Sequence, residues 1–324
     1  MKLPLVLILL VVLLRPSFGQ LETLDIKRSD GTVSTTDGVD RYLSTEYQFI
    51  LTLPYGVAMD SLNSFVKDGT ELLYYRGWCH YAQGRIPESF ADADRYSRVP
   101  ARQNVYGGYV LLARLHEARF TPMLAEQMLD KAIAIEPKRI DGYLEKARVY
   151  ANRSDLDGAL ASIKDVIKRF PSAAEPYLFK GIILTRQQQY KNGYADIQRA
   201  LTEGNLGNRD FWVANYWAGK ACIGTRNYTA ALSHANQCIE ARPELLEAYG
   251  LRGEVYYNMD KLDEALADFV NMERRIQSSY YWKIIASCYE RKGDVPSACR
   301  YYAKLCQMFP QQDNHCSKLK KLCK

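Results

Sequence analysis

Apolar positions recur along this chain with the period of an amphipathic helix, in paired blocks separated by short polar turns. The segment "EAYGLRGEVYYNMDKLDEALADFVNM" (247–272) reads as one such pair. The segment 33 residues on, "YYWKIIASCYERKGDVPSACRYYAKL" (280–305), has the same layout. So does the segment 34 residues back, "VANYWAGKACIGTRNYTAALSHANQC" (213–238). The register continues through units starting near residues 174, 140, 106 and 70. A small residue stands in the middle of each first helix: Gly77, Ala113, Ala147, Gly181, Gly219, Gly253 and Ala286. Another stands early in each second helix: Ser89, Ala125, Ala159, Gly193, Ala231, Ala265 and Ala298. Two antiparallel helices on a short turn approach closely only where side chains are small. The pattern predicts seven helix-turn-helix units over residues 70–310.

Larger side chains surround those crossings. Tyr109, Tyr143, Tyr177, Tyr249 and Trp282 recur one turn before the first small residue. Pro137, Pro171, Pro243 and Pro310 close four of the units. This period and these slots resemble the tetratricopeptide repeat (TPR) family. The resemblance implies an all-α fold, a right-handed α-solenoid of about seven TPR helix-turn-helix units. Two units depart from the pattern. The fourth is followed by the insertion "EGNLGNRD" (203–210) and lacks its closing proline. The fifth carries Asn215 in place of the aromatic. A local change of pitch is the expectation there.

The ends follow another logic. Residues 1–19 carry Lys2, an apolar run from Leu3 to Leu14, and small residues before Gln20. They read as a secretory signal peptide cut after Gly19, not as a membrane anchor. Residues 20–69 read as a polar arm followed by possible capping helices, and 311–324 as a short C-terminal capping helix. Export places the chain in an oxidising compartment. The periplasm or cell surface is the preferred version, and a eukaryotic secretory lumen the alternative. Two glycosylation sequons, at Asn152 and Asn227, bear on that choice.

Charge and motifs exclude more than they assign. Net charge falls from +6 to +4 once Lys2 and Arg15 leave with the leader. That is no nucleic-acid footprint. Lys318, Lys320, Lys321 and Lys324 read as a solvated helix face. There is no metalloprotease, Walker, dinucleotide or serine-elbow motif. The chain therefore reads as non-enzymatic and without a cofactor. His80 and His116 fall in core slots, and His234 is expected to be exposed. Cys79, Cys222, Cys238 and Cys288 read as buried thiols.

The last four cysteines are different. Cys299 and Cys306 share a helix face, as do Cys316 and Cys323. Both sets are symmetric about Gln311. An antiparallel hairpin there brings Cys306 opposite Cys316 and Cys299 opposite Cys323, so two nested disulfides are expected. A metal or enzymatic site built on these cysteines and His315 is the competing reading.

In TPR proteins the first helices line a groove that binds proteins or peptides. Carrying those slots over gives Tyr74, Trp78, Tyr81, Arg114, Arg148, Arg186, Lys220, Tyr257, Lys283 and Arg291. Basic residues through the middle imply a partner that is a protein or peptide, and an acidic one. The resulting expectation is an exported interaction scaffold, with no nucleic acid and no stable membrane insertion. An architectural subunit of an envelope or secretion assembly is the alternative.

Overall fold

A computed structural model of the chain describes residues 53–100, 104–203, 206, 208–273, 278–308 and 313–323, together with two two-residue strands, β1 (Ile26–Lys27) and β2 (Val33–Ser34). The predicted leader, most of the polar arm and the segment 39–51 lie outside the described residues. So do Pro310 and Gln311. Sixteen helices are present among the described residues. Helix α1 (Tyr55–Phe65) precedes seven helix pairs: α2 (Gly69–Ala82) and α3 (Ile86–Ser97), α4 (Val105–Ala118) and α5 (Pro122–Ile135), α6 (Ile140–Asn152) and α7 (Leu156–Arg169), α8 (Glu175–Arg186) and α9 (Tyr190–Glu203). The remaining pairs are α10 (Asn208–Gly224) and α11 (Tyr228–Ala241), α12 (Leu246–Asn258) and α13 (Leu262–Glu273), α14 (Ser279–Arg291) and α15 (Val295–Met308). A last helix, α16 (Asp313–Leu322), follows. The fold is the expected all-α one of seven helix-turn-helix units followed by a short C-terminal helix. The chain divides within α7, between Ala159 and Leu160, into two compact units. The insertion after α9 falls inside the second unit, where its last residues belong to α10, the longest helix at 17 residues.

Small residues at the crossings explain the tight pairing. A Cβ on Gly181 would lie 2.7 Å from the Gly193 carbonyl oxygen, and one on Gly193 2.8 Å from that of Gly181. In the first repeat the Ser89 hydroxyl donates to the Gly77 carbonyl at 2.7 Å. Three repeats add an ion pair between the slot before the first small residue and the slot three after the second. These pairs are Arg76–Asp92 (2.5 Å), Lys180–Asp196 (2.8 Å) and Arg252–Asp268 (2.7 Å).

His234 occupies that same second-helix slot and is buried, not exposed as the sequence implied. The reason is its partner. Asn215 donates its amide to the Phe211 carbonyl at 2.9 Å, which leaves its oxygen to accept from His234 Nδ1 at 2.8 Å. His234 Nε2 then accepts from Tyr194 and Gln198, each at 3.3 Å. Burial lowers the imidazole pKa and keeps the ring neutral. Asn215, the fifth repeat's departure from the aromatic slot, is thus the partner that holds His234 in the interior.

All seven turns within the pairs share one conformation. Gly84, Phe120, Ser154, Gln188, Arg226, Asp260 and Gly293 have φ between 59° and 78°. The residue after each returns a backbone hydrogen bond five positions back, as from Thr121 to His116 and from Asp294 to Tyr289. This is the left-handed helix stop that glycine adopts without steric cost. Five of the seven positions carry a side chain that strains there. The bulky Phe120 is 65% exposed. Phe120→Gly is therefore expected to raise stability, by up to about 1 kcal/mol once the greater entropy of the unfolded glycine is subtracted. Urea midpoints of the two proteins test this. A lower midpoint for the glycine variant would mean that Phe120 packing outweighs its strain.

The first unit is closed at its start by α1, whose Ala58 and Leu62, with the following Val66, join the cluster of Tyr74, Trp78 and Tyr96. In the second unit, Leu319 and Leu322 of α16 pack against the cluster of Tyr301, Tyr302 and Leu305. A solenoid needs such terminal covers because each repeat buries its apolar face only against a neighbour.

Candidate functional site

The ten residues assigned to a groove fall into two sets, one in each compact unit, with different fates. In the first unit the structure corrects the assignment. Tyr74 and Trp78 are buried, and Tyr74 stands against Tyr75, Trp78 and Tyr96 with ring centroids 5.1–6.5 Å apart. Its hydroxyl occupies the space that a Cβ on Gly107 would take. Arg114 is 3% exposed. It lies 5.8 Å from the Trp78 ring and pairs with Glu145 of α6. Arg148 holds the same carboxylate at 2.7 Å and Glu117 at 2.6 Å. Asn152 donates to the other oxygen of Glu117 at 3.1 Å. Burial by itself would raise the Glu145 carboxyl. The two guanidiniums override it and hold the group down to about 2. Arg114 and Arg148 therefore cement α4 to α6 and present no positive strip to a ligand. Tyr81 is half-buried, its ring centroid 5.8 Å from that of Trp78.

The second unit keeps its candidates closer to solvent. Half-buried Arg186 lies at the end of α8, where burial lowers its guanidinium pKa. Lys220 on α10 pairs with Glu254 on α12 at 2.6 Å. Burial would lower the ammonium, but Glu254 and the tyrosines at 280 and 281 raise it above the ordinary lysine value. Tyr280 is 43% exposed, with Lys220 Nζ 5.5 Å from its ring. Further along, the Tyr257 and Ser287 hydroxyls lie 2.8 Å apart. Arg291 pairs with Asp260 at 2.5 Å and donates to the Tyr257 carbonyl at 3.2 Å. Lys283 is half-buried on α14. Helices α10, α12 and α14 thus lie side by side. Their shared face is polar and aromatic, with each named cation but Lys283 matched to an acid.

Those acids are what the sequence reading passed over. Each stands 31 or 34 residues from its base: Glu117 and Arg148, Arg114 and Glu145, Lys220 and Glu254, Asp260 and Arg291. Comparing charges between successive repeats at those two offsets exposes all four pairs.

The cysteines separate into two groups. Cys79, Cys222, Cys238 and Cys288 are buried and unbonded. Burial pushes the thiols of Cys79, Cys222 and Cys288 up to about 11 and that of Cys238 to about 12, which makes them inert. The structure joins Cys299 to Cys323 and Cys306 to Cys316, with Cα separations of 5.8 and 5.2 Å. Sulfurs bonded to each other are not thiolate ligands, which weighs against the C-terminal metal reading. Among the described residues no group of three or more His, Cys, Asp or Glu side chains is placed to hold a metal ion. No helix among them is long and apolar enough to cross a membrane.

Two tetratricopeptide repeat family models match the chain, at residues 144–208 and 284–311. No curated protein matches it. Among solved structures it is similar to a tetratricopeptide repeat protein from Parabacteroides merdae, at 17% identity and a TM-score of 0.56, over 79% of this chain and 99% of that one. It is also similar to PilW, a type IV pilus biogenesis factor, at 19% identity and a TM-score of 0.59, over 69% of this chain and all of the other. A third likeness is to the APC/C hetero-tetramer Cut9–Hcn1, at 13% identity and a TM-score of 0.60, over 90% of this chain and 64% of that one. A pilus factor and an APC/C subunit sharing one architecture locate the likeness in the fold, not in a common activity. Two family-model matches, seven turns of one conformation and small residues at every crossing show that the chain carries tetratricopeptide repeats.

Proposed function

We propose that the chain is an exported, non-enzymatic scaffold that binds a protein or peptide on the first-helix face of its last three repeats. The observation that carries this reading is the run of side-chain contacts Lys220–Glu254, Tyr257–Ser287 and Asp260–Arg291, which joins α10, α12 and α14 into one face. Tyr280 lies on that face, its ring against Lys220 and Tyr281 and 43% of its surface exposed, as an aromatic anchor. Side chains of mixed charge with tyrosine between them suit an extended peptide that offers its own donors and acceptors. The four pairings across the repeats favour such a peptide over a strongly acidic one. The leader-like first residues, and the two disulfides at the far end of the chain, support an oxidising compartment outside the cytoplasm.

Replacing Tyr280 with alanine tests the face. Recovery of the partner by affinity purification from the native source is expected to fall at least tenfold, the scale of a lost aromatic anchor, with helix content unchanged. Unchanged recovery would move the interaction to the termini, as an architectural subunit of an envelope assembly would have it.

A further inference from the structure

The charge of this chain is not spread along it. Residues 291–324 hold eight Lys and Arg against two acids, while the 290 residues before them hold 35 of each. Arg291 closes α14 and Lys292 follows it in the turn, while five of the eight, Arg300, Lys304, Lys318, Lys320 and Lys321, lie on α15 and α16, a hairpin tied by two disulfides. Helices of this length are roughly 15–21 Å long. That is short enough for the charges to act together on a surface of opposite sign across a Debye length of about 8 Å. Three of the eight are engaged: Arg291 with Asp260, Lys292 with Asp263, and Lys318 with Glu290. Arg300, Lys320 and Lys321 are exposed and make no ion pair among the described residues. Lys304 is exposed as well, with its ammonium 5.0 Å from the Tyr301 ring.

We propose that this basic clasp docks the protein on an anionic phospholipid surface. Charge complementarity points to an anion-rich partner. It points away from a second copy of this chain, because residues 20–290, which remain once the leader is cut, hold 33 basic residues against 35 acids, a surplus of only two negative charges. Surfaces that bind single-stranded nucleic acid interleave cations with exposed aromatic platforms, and the DNA-duplex arm of the test addresses double strands. Here the aromatics of α15, Tyr301 and Tyr302, are buried. On the face of that helix shared by Arg300 and Lys304 at four-residue spacing, the next position is the aliphatic Met308, 48% exposed. Cations followed by an aliphatic side chain on one face suit a headgroup layer, where each lysine or arginine near the surface adds attraction and the apolar side chain reaches towards the acyl boundary. The attachment is peripheral and needs no spanning helix. It does not depend on the peptide-binding face of α10, α12 and α14.

The test uses the purified full chain and two kinds of vesicle, phosphatidylcholine alone and phosphatidylcholine with about 30% phosphatidylglycerol, at about 50 mM salt. Partition into the anionic vesicles is expected to be at least tenfold stronger than into the neutral ones and to be lost at about 500 mM salt. The pair Lys320→Glu and Lys321→Glu removes at least tenfold of it. The charge-matched pair Lys138→Glu and Lys164→Glu, at exposed positions in other repeats, changes it less than twofold. Helix content confirms that both variants fold. Equal binding to both vesicle types, or equal loss in both variants, overturns the proposal. Tighter binding to a DNA duplex than to anionic vesicles at the same salt overturns it in favour of nucleic acid.

Discussion

Glu145→Gln is expected to destabilise the first unit by about 3–5 kcal/mol, because it takes the carboxylate from between Arg114 and Arg148 and leaves two guanidiniums against a neutral amide. The pH dependence has a definite sign. The Glu145 carboxyl is held down to about 2 in the fold, against an ordinary 4.5. Its contribution is therefore complete above pH 4.5, falls as pH drops below that value, and is gone near pH 2. The size is about 3 kcal/mol, from roughly 1.4 kcal/mol per pKa unit. Repeats are stabilised by their nearest neighbours, so the effect is local. Amide exchange should show lost protection in α4 and α6 and unchanged protection in α12 and α14. A variant as stable as its parent at pH 7 would mean that Arg114 and Arg148 find other compensation.

The second large effect is at the other end. Replacing Cys299, Cys306, Cys316 and Cys323 with serine is expected to cost the last repeat about 2–4 kcal/mol for the first bridge lost, and less for the second. The Cys306–Cys316 bridge closes a separation of 10 residues inside the 24 closed by Cys299–Cys323. Each therefore already restricts the unfolded chain that the other constrains. Without them α16 is held by Leu319 and Leu322 against the cluster of Tyr301, Tyr302 and Leu305, and by Lys318, which pairs with Glu290 and donates to Tyr302. Protection should fall in α14–α16 and stay the same in α10. Peptide mapping without reductant should recover both linkages. Free thiols at all four sites would leave α16 without its clasp.

How much of this was legible in the sequence depends on the kind of residue. The crossings were, because Gly, Ala and Ser stand at all fourteen slots and size alone decides whether helices can close to contact. The C-terminal pairing was, because two seven-residue spacings share one centre of symmetry. The turns were not. A left-handed residue is announced by glycine, and Phe120, Gln188, Arg226 and Asp260 hide it behind ordinary side chains. His234 was misread because its partner Asn215 lies 19 residues earlier, on another helix. In the first unit, three of the residues assigned to the groove, Tyr74, Trp78 and Arg114, are buried. Slots taken from the family say where a side chain starts, not whether an acid one repeat away will bury it. Arg114 and Trp78 begin in lining positions and end in the interior.

Site-specific photo-crosslinking at position 280 in the native source tests the central claim most directly. The account predicts crosslinks from Tyr280 on α14 to one recurring protein, reduced by Tyr257→Ala on the neighbouring α12, and few from the exposed Lys164 on α7. Crosslinks that are as abundant from position 164 as from position 280, or absent from position 280, would contradict it.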